Sequence, residues 1–463
     1  MPAGDPASER LGFLLQVGLL AGPFMSMIDS SIVNVALPSI ARSLHGPLGA
    51  AQWVVSAYLL ALAIALAASA DLAKRFGTRR LYVYSLAAFT VSSALCAASR
   101  TLGALCAARV AQGAFGAPLV PLAMNMLFGT GRGSARLPAV AGMVLFLAPA
   151  VAPAVGGVLL HAAGWPAVFL VNVPVGAVAV LGAARLPAAV EPVRPGARGA
   201  FDLPGFALLG GGLALVTYGA SAGLARGWLA PSVWPFWAGG AGGLLAYAGW
   251  AGRTAHPIVD TALVRTAQGA LAMGLVATVS VVTFALIVVT PAFMQEFQGR
   301  TALTAGLALF PQGITTGVGS ILGNTLPRRW GVRRTAVLGM AILTAATCGM
   351  LWVTTSTAVS VLGLLLAGRG FAIGLVIQPM LGRLIGELPP ERVPDGNTLF
   401  NIVDRAAGAV GIALVMTLFE VRERSGGPAA GGFHDVIALV AAVGAAGLAM
   451  AAGLRAGRDA PAV

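Results

Sequence analysis

The chain has 463 residues, of which 57% are hydrophobic and only 10% are charged. Because a soluble domain carries about 25% charged residues, this composition excludes a water-soluble fold. The net charge of +13 does not indicate a nucleic-acid partner, since the basic residues form short clusters between apolar runs rather than a stripe on a soluble domain. The sequence therefore predicts an all-α integral membrane protein, with the lipid bilayer as its main solvent.

Fourteen apolar runs have the length of a transmembrane helix, which needs about 20 predominantly apolar residues. An even number of spans places both chain termini on the same side of the membrane. In chain order the predicted spans cover 12–38, 49–71, 80–98, 102–127, 136–160, 167–187, 203–223, 232–251, 267–291, 302–324, 335–354, 357–386, 396–419 and 433–454.

The basic residues predict the orientation of these spans. With the N-terminus inside, 20 of the 29 Lys and Arg residues lie in inner segments and 6 in outer segments. Since cytoplasmic loops carry the excess of Lys and Arg, we expect both termini in the cytoplasm. A single lysine against 28 arginines, with heavy use of Ala and Gly, indicates a bacterial genome of high GC content. The expected location is the bacterial inner (plasma) membrane, as a multi-pass protein.

A short motif recurs after the second and the tenth predicted spans. Residues 74–80 read Lys-Arg-Phe-Gly-Thr-Arg-Arg, and residues 328–334, 254 positions later, read Arg-Arg-Trp-Gly-Val-Arg-Arg. The recurrence predicts a duplication with a six-helix half in 1–190, an inserted helix pair with linkers in 191–265, and a second six-helix half in 266–463. A glycine permits the tight turn, and the arginines suit lipid phosphates, helix C-terminal carbonyls or carboxylates. The candidate conformational residues of these loops are Arg75, Gly77, Arg79, Arg80, Gly331, Arg333 and Arg334.

Several local motifs carry a resemblance to a known family. Residues 27–38 in span one, 52–60 in span two, 109–113 in span four, 152–157 in span five and 169–176 in span six are similar to motifs of the major facilitator superfamily, specifically its fourteen-helix drug/proton antiporter family. The resemblance implies two six-helix halves plus two inserted helices, alternating access between the halves, and antiport driven by the proton gradient without a bound cofactor. Pro153, Gly156 and Gly157 resemble the Gly-Pro-rich motif associated with antiporters.

The loop after span two departs from the family pattern Gly-x-Leu-Ala-Asp-Arg-x-Gly. Ala70 stands at the glycine place and Lys74 at the aspartate place. The charge role of the family's aspartate is therefore in question, and Asp71 is the candidate to take over part of it. Ala152 likewise replaces the glycine before Pro153, so that helix packing there is expected to be looser.

Charged residues inside spans are the sharpest functional candidates, because a charge at the bilayer centre costs at least ~2.5–3.5 kcal/mol. Asp29 lies ~25 Å from the cytoplasmic end of span one, and Arg109 ~10 Å from the outer end of span four. In a core of ~30 Å these depths are similar, so the two side chains are expected within reach of each other. One interpretation is that Asp29 binds a proton and Arg109 tunes its affinity; the other is a static ion pair that holds two helices together.

Asp404, in span thirteen, is a second candidate for a proton or cation site. Arg369 reaches a similar depth, so the alternative is an Asp404–Arg369 pair that locks the C-terminal half. Arg405 is adjacent, and we expect it to point to a different side of the helix from Asp404. Arg369 and Arg405 are also candidates for the substrate cavity. The uncharged candidates, for which a role in interhelical hydrogen bonds is equally plausible, are Asn34, Tyr58, Gln112, Asn125, Gln312 and Gln378.

These observations favour a proton-coupled antiporter that exports small hydrophobic or cationic compounds, as in multidrug efflux. A proton-coupled exporter of one natural product, peptide or siderophore is the alternative. ATP hydrolysis is not expected, because no Gly-rich phosphate loop with a lysine is present. An integral membrane enzyme is a distant alternative, since the four histidines are scattered near span ends and predict neither a catalytic nor a metal site. We expect a monomer whose partners are small-molecule substrates, protons and lipid.

Overall fold

A computed structural model describes most of the chain and is helical wherever it has regular structure. The described residues are 6–128, 139–185, 201–228, 230–254, 257–259, 261, 264, 266–386, 388, 393–424 and 431–455. The inner-loop arginines predicted at 132, 136, 194, 198, 265, 392 and 458 lie outside these residues.

The helices follow one another with short connections. In chain order they are α1 (Pro6–Ser43), α2 (Leu48–Ala51), α3 (Trp53–Phe76), α4 (Thr78–Ala98), α5 (Leu102–Gly116), α6 (Leu119–Phe128), α7 (Ala139–Ala163), α8 (Pro166–Leu170), α9 (Asn172–Ala184), α10 (Leu203–Arg226), α11 (Trp234–Ala251), α12 (Ala267–Glu296), α13 (Ala302–Thr325), α14 (Pro327–Trp330), α15 (Val332–Gly349), α16 (Val359–Gly386), α17 (Val393–Arg424) and α18 (Gly431–Ala452). A short 3-10 helix, Met350–Trp352, continues α15.

Local sequence signals fix many of the helix ends. A threonine stands at the start of α5, α12 and α13, and its hydroxyl accepts a hydrogen bond from the backbone N–H three residues later. These residues are Thr101, Thr266 and Thr301, respectively. Asp202 does the same at the start of α10, where its Oδ1 lies 2.9 Å from the N–H of Gly205. Within lipid, a helix is the structure that pairs every backbone group inside its own segment, so apolar runs of this length become helices.

Within the described residues, twelve helices are long and apolar enough to cross a membrane. The two other predicted spans are also helical. The fifth corresponds to α7, of which Val151–Ala163 counts as a shorter apolar helix, and the eighth to α11, whose 18 residues are rich in Gly and Trp. Two predicted spans are shorter than the helices that contain them: α1 begins at residue 6 rather than 12, and α12 continues past Pro291 to residue 296. The helices are longer because polar residues beyond the apolar run continue the backbone hydrogen bonds of the helix.

The packing of the helices follows the predicted duplication. In the N-terminal half α1 packs on α7 and α9, α3 on α5, and α4 on α9. The corresponding pairs in the C-terminal half are α12 on α17 and α18, α13 on α16, and α15 on α18. Between the halves, α7 packs on α13 and α3 on α17, so the second span of each half meets the fifth span of the other. Such reciprocal contacts are expected of two parallel repeats around a pseudo-two-fold axis.

The helix pair α10 and α11 lies beside the interface between the halves. α10 packs on α17 and α3, and α11 packs on α10. Ser221 and Thr417 share a hydrogen bond of 2.9 Å, and the rings of Trp53 and Tyr218 lie 6.0 Å apart. The inserted pair therefore contacts both halves. The exact domain boundaries at 190 and 265 stay a prediction.

Candidate functional site

Asp29 lies at the centre of a buried polar network in the N-terminal half. Its Oδ2 accepts a hydrogen bond from Arg109 Nη1, and its Oδ1 accepts bonds of 3.0 Å from the side-chain amides of Gln112 and Asn172. The side chains of Asp29 and Arg109 are both fully buried. Helices α1, α5 and α9 thus meet at one carboxylate, all of whose partners are charged or amide donors.

Arg109 is held from several directions. Its Nε donates to the carbonyl of Val54 at 2.9 Å, and Nη1 also donates to Gln112 Oε1 at 2.6 Å. Its guanidinium carbon lies 3.9 Å from the centre of the Tyr58 ring and 5.6 Å from that of Phe169. An ion pair, a carbonyl and two aromatic faces compensate the buried charge together.

A cavity of about 290 Å³ lies between the two halves. α1 contributes Met27, Ser30 and Ser31, α7 contributes Pro153, and the other lining residues come from α12, α13, α16 and α17. The wall is mostly apolar, with a few polar groups. This combination is typical of small-molecule sites. The polar lining residues of the C-terminal half are Ser280, Thr283, Gln312, Thr316, Ser320, Asp404 and Arg405.

Asp404 and Arg405 both line this cavity, contrary to the expectation that they point to different sides of α17. The Nε of Arg405 lies 3.6 Å from Asp404 Oδ2, and the side chains are 19% and 21% exposed, respectively. Neighbouring positions differ by only about 100° around a helix, and the long arginine side chain spans that angle. Asp404 also accepts a hydrogen bond of 2.6 Å from Ser280 on α12.

Arg369 is completely buried, and the hydrogen bond described for it does not go to Asp404. Its Nη2 donates to the carbonyl of Val282 at 2.9 Å. The hydrogen-bond and ion-pair contacts described for Asp404 are those with Ser280 and Arg405. An Asp404–Arg369 pair is therefore not among the contacts of the described residues.

The other predicted cavity residues are scattered. Gln312 lines the cavity, whereas Tyr58 and Gln112 belong to the Asp29 network. Asn34 is buried and donates to the carbonyl of Ser30 at 3.5 Å. Gln378, in α16, is half-buried and its Cβ lies near Gly323 of α13, which is a helix-packing position. The side chain of Asn125 is exposed on α6.

The two copies of the loop motif adopt the same backbone conformation. Gly77 has φ 85° and ψ 143°, and Gly331 has φ 79° and ψ 154°, a region that favours glycine. Arg79 donates to the carbonyl of Ala184 at 2.7 Å, at the C-terminal end of α9. Arg75 lies over the ring of Phe201 at 5.7 Å. The side chains of Arg80, Arg333 and Arg334 are exposed.

Asp71 makes only a weak contact with the lysine that replaces the family's aspartate. The distance from Asp71 Oδ1 to Lys74 Nζ is 3.9 Å, and both side chains are more than a third exposed. An exposed pair of this kind contributes about 0–1 kcal/mol. The part that Asp71 plays in the loop stays a prediction.

The small residues of the antiporter-like motif lie at close helix contacts. A Cβ on Gly157 would lie 2.6 Å from the Cα of Leu303 in α13, and one on Gly156 would lie 2.9 Å from the carbonyl oxygen of Ile32 in α1. A Cβ on Gly306 would overlap the carbonyl oxygen of Pro153. The segment 153–157 is thus a place where α7 closely approaches α13 of the other half. Small residues permit such approach between membrane helices.

Two kinds of residue were missed as site candidates. Asn172 completes the Asp29 network, and an amide inside an apolar span is a signal that would have identified it. Ser93, which accepts from Gln112 at 2.7 Å, and Ser280 carry no such signal, because hydroxyl residues are common in membrane helices. No group of three or more His, Cys, Asp or Glu side chains comes together as a metal site in the described part of the chain.

The fold and the cavity between two repeated halves are those of a polytopic transporter. The sequence profile of the Major Facilitator Superfamily matches residues 19–412. The chain belongs to the Major Facilitator Superfamily, and is a multi-pass membrane protein of a family that carries small molecules across membranes.

Relatives with assigned names match most of the chain. A "Multidrug resistance protein B homolog" of Mycobacterium tuberculosis is 31% identical over 442 residues, which cover 90% of this chain and 79% of that protein. The "Tetracenomycin C resistance and export protein" of Streptomyces glaucescens is 28% identical over 436 residues, covering 91% of this chain and 78% of that protein. The crystal structure of the nucleoside transporter NupG superimposes with a TM-score of 0.64 over 95% of this chain and 99% of that chain. At 11% sequence identity, the latter similarity concerns the fold alone.

Proposed function

We propose that the chain is a proton-coupled antiporter that exports small hydrophobic compounds from bacteria by alternating access between its two halves. The cavity between the halves carries the proposal, because residues from both of them line it and an ionisable carboxylate lies on its wall. The names of the two sequence relatives, one of multidrug resistance and one of export, support the direction of transport. We place the protein in the inner membrane, as a monomer with both termini in the cytoplasm.

Proton coupling requires an acid that exchanges protons with the aqueous cavity. Asp404 meets this requirement, since its side chain is 21% exposed and lines the cavity. Asp29 is fully buried, and its described partners are the side-chain N–H donors of Arg109, Gln112 and Asn172. We therefore assign proton exchange to Asp404. Asp29 and Arg109 form an ion pair, which takes part in proton coupling only if the N-terminal half rearranges.

The test is transport into proteoliposomes under an imposed pH gradient, compared with exchange between equal substrate pools without a gradient. We expect Asp404→Asn to lose gradient-driven accumulation and to keep exchange, because the variant retains the cavity but not the titrating group. An Asp404→Asn protein that still accumulates substrate like the wild type would show that the proton binds elsewhere. Wild-type transport that ignores the gradient would rule out antiport altogether.

A second candidate is export of a single natural product rather than of many compounds. The Streptomyces relative, whose name specifies one compound, favours it. A susceptibility panel in an efflux-deficient host separates the two candidates. Resistance to several unrelated compounds is expected for a multidrug exporter, and resistance confined to one chemical scaffold for a specific one.

A further inference from the structure

Arg369 is a buried cation without a buried counter-ion among the residues that the structure describes. Its side chain has no exposed surface, and one hydrogen bond joins its Nη2 to the carbonyl of Val282. Its Nε and Nη1 have no hydrogen-bond partner there. Buried donors are normally satisfied, and an unpaired charge within the membrane is costly. The burial of this charge therefore needs an explanation.

The contacts of Arg369 place it directly behind one wall of the cavity. Its hydrogen-bond acceptor, Val282, precedes the lining residue Thr283. The next residue, Gly370, packs so closely on α13 that a Cβ there would overlap the carbonyl oxygen of Gln312, another lining residue. One helical turn after Arg369, Ile373 lines the cavity as well.

The wall in front of Arg369 is itself polar and incompletely satisfied. Thr283 Oγ1 and Gln312 Oε1 are both buried without a hydrogen-bond partner in the described structure. The hydroxyl of Thr283 adds a donor to the unpaired Nε and Nη1 of the guanidinium. Unpaired donors thus lie on α12 and α16 at one side of a mostly apolar cavity, next to the unpaired acceptor oxygen of Gln312 on α13.

The charges around the cavity also favour an anion. Asp29 pairs with Arg109, and Asp404 lies beside Arg405. Each of these two pairs is neutral when its carboxylate is ionised, so Arg369 leaves one positive charge at the described centre of the protein. In a medium of low dielectric constant, that charge attracts an anion over the width of a small cavity.

We propose that Arg369, with Thr283, forms a subsite for an anionic oxygen of the substrate: a carboxylate, phenolate or enolate attached to a lipophilic body. The planar guanidinium presents paired N–H groups that match a carboxylate, and the apolar remainder of the cavity holds the hydrophobic part. This inference rests on the proposed export function and adds a substrate class to it. It selects lipophilic acids over the cationic compounds expected from the sequence.

The first experiment compares three probes with one aromatic body on the purified full chain. 1-Pyrenepentanoate, 1-pyrenebutanol and 1-pyrenebutylammonium each carry their terminal group on a chain of four methylenes, so their apolar burial is matched. Fluorescence titration in lipid nanodiscs is expected to show that the carboxylate binds roughly tenfold more tightly than the alcohol. The reason is that the carboxylate forms a charge-assisted hydrogen bond, which the alcohol does not. The ammonium probe is expected to bind most weakly.

Ammonium binding equal to carboxylate binding would overturn the anion subsite and leave the export proposal standing. Absence of binding for all three probes would overturn both. The comparison uses wild-type protein alone, so it decides the matter even where a variant does not fold.

The second experiment assigns the effect to Arg369. Arg369→Gln is expected to weaken carboxylate binding about tenfold and to leave alcohol binding unchanged, while Arg369→Lys retains part of the preference. Arg405→Gln is the matched variant on the cavity wall. A selective loss in Arg405→Gln with none in Arg369→Gln would move the anion to Arg405 and refute the assignment, and an equal loss for all probes in Arg369→Gln would make Arg369 a purely structural residue.

Discussion

Each half of the protein buries one arginine deep within its helices, and the two halves compensate that charge differently. Arg109 has a carboxylate, a carbonyl, an amide and an aromatic ring around it. Arg369 has one carbonyl, and two of its nitrogens have no partner among the described residues. The N-terminal network joins three helices through Asp29, whereas the C-terminal charge lies behind the cavity wall, where we propose that it binds a substrate anion.

The repeat explains why the two arginines are not equivalent. Tyr58 and Gln312 are 254 residues apart, and the carbonyl of each packs against a glycine, Gly113 or Gly370. Arg369 precedes its glycine directly, and the corresponding residue in the N-terminal half is Gln112. By the same offset, Asp29 corresponds to Thr283. The C-terminal half therefore has a cation where the N-terminal half has Gln112, and a threonine where the N-terminal half has the acid Asp29.

The largest expected difference between the halves is in stability. Arg109→Met leaves the Asp29 carboxylate buried without its cation, and we expect it to destabilise the protein by roughly 3–5 kcal/mol. Arg369→Met removes a buried charge that has no ionic partner among the described residues, so we expect a loss below about 1 kcal/mol or a gain. Unfolding of both variants in the same detergent measures the contrast. Equal losses would mean that Arg369 has an ionic partner in the folded protein.

A smaller effect is expected where both halves pack alike. A Cβ on Gly113 or Gly370 would overlap the carbonyl oxygen of the facing helix, so Gly113→Ala and Gly370→Ala are each expected to cost about 1–3 kcal/mol. Gly103→Ala in α5 and Gly382→Ala in α16 are the matched controls, since nothing lies within 4 Å of a Cβ at either position. The thermal midpoints of all four variants check this, and controls as unstable as the packed positions would contradict it.

The two loops that carry the repeated motif are expected to respond equally to substitution, with a smaller loss of stability. Gly77 and Gly331 have positive φ, so alanine at either is expected to cost about 1–2 kcal/mol. The physical cause is the same in both halves, and the two losses of stability should agree in unfolding measurements. A loss at one loop alone would indicate that the other relaxes to a different turn.

The smallest effect is expected for the ion pair between the halves. Arg42 Nη1 lies 2.6 Å from Glu296 Oε1, with side chains 62% and 34% exposed, respectively. Exposed pairs contribute about 0.2–1 kcal/mol, far less than the roughly 3–5 kcal/mol expected when one partner of the buried Asp29–Arg109 pair is removed. A double-mutant cycle with Arg42→Gln and Glu296→Gln measures the coupling, and a value of several kcal/mol would make this contact a principal clamp between the halves.

Much of the fold followed from the sequence because lipid leaves few choices. A run of about 20 apolar residues has to be helical, and the recurrence of the loop motif predicted two related six-helix halves. The glycine at the centre of each motif predicted the turn that both loops adopt. The inserted pair was also predicted, but its contacts with α3 and α17 follow no local pattern.

The sequence by itself determined which charges had to be explained. Asp29, Arg109, Arg369, Asp404 and Arg405 were conspicuous because charges are expensive in lipid. Depth along each helix brought Asp29 and Arg109 to one level, since the rise per residue is constant.

Only the tertiary structure decided what each of these charges touches. It surrounded Asp29 with N–H donors and placed Asp404 and Arg405 together on the cavity wall. It left Arg369 behind that wall with no ionic partner among the described residues. Helical rotation and side-chain reach determine these contacts, and both depend on how neighbouring helices cross, which no single span encodes.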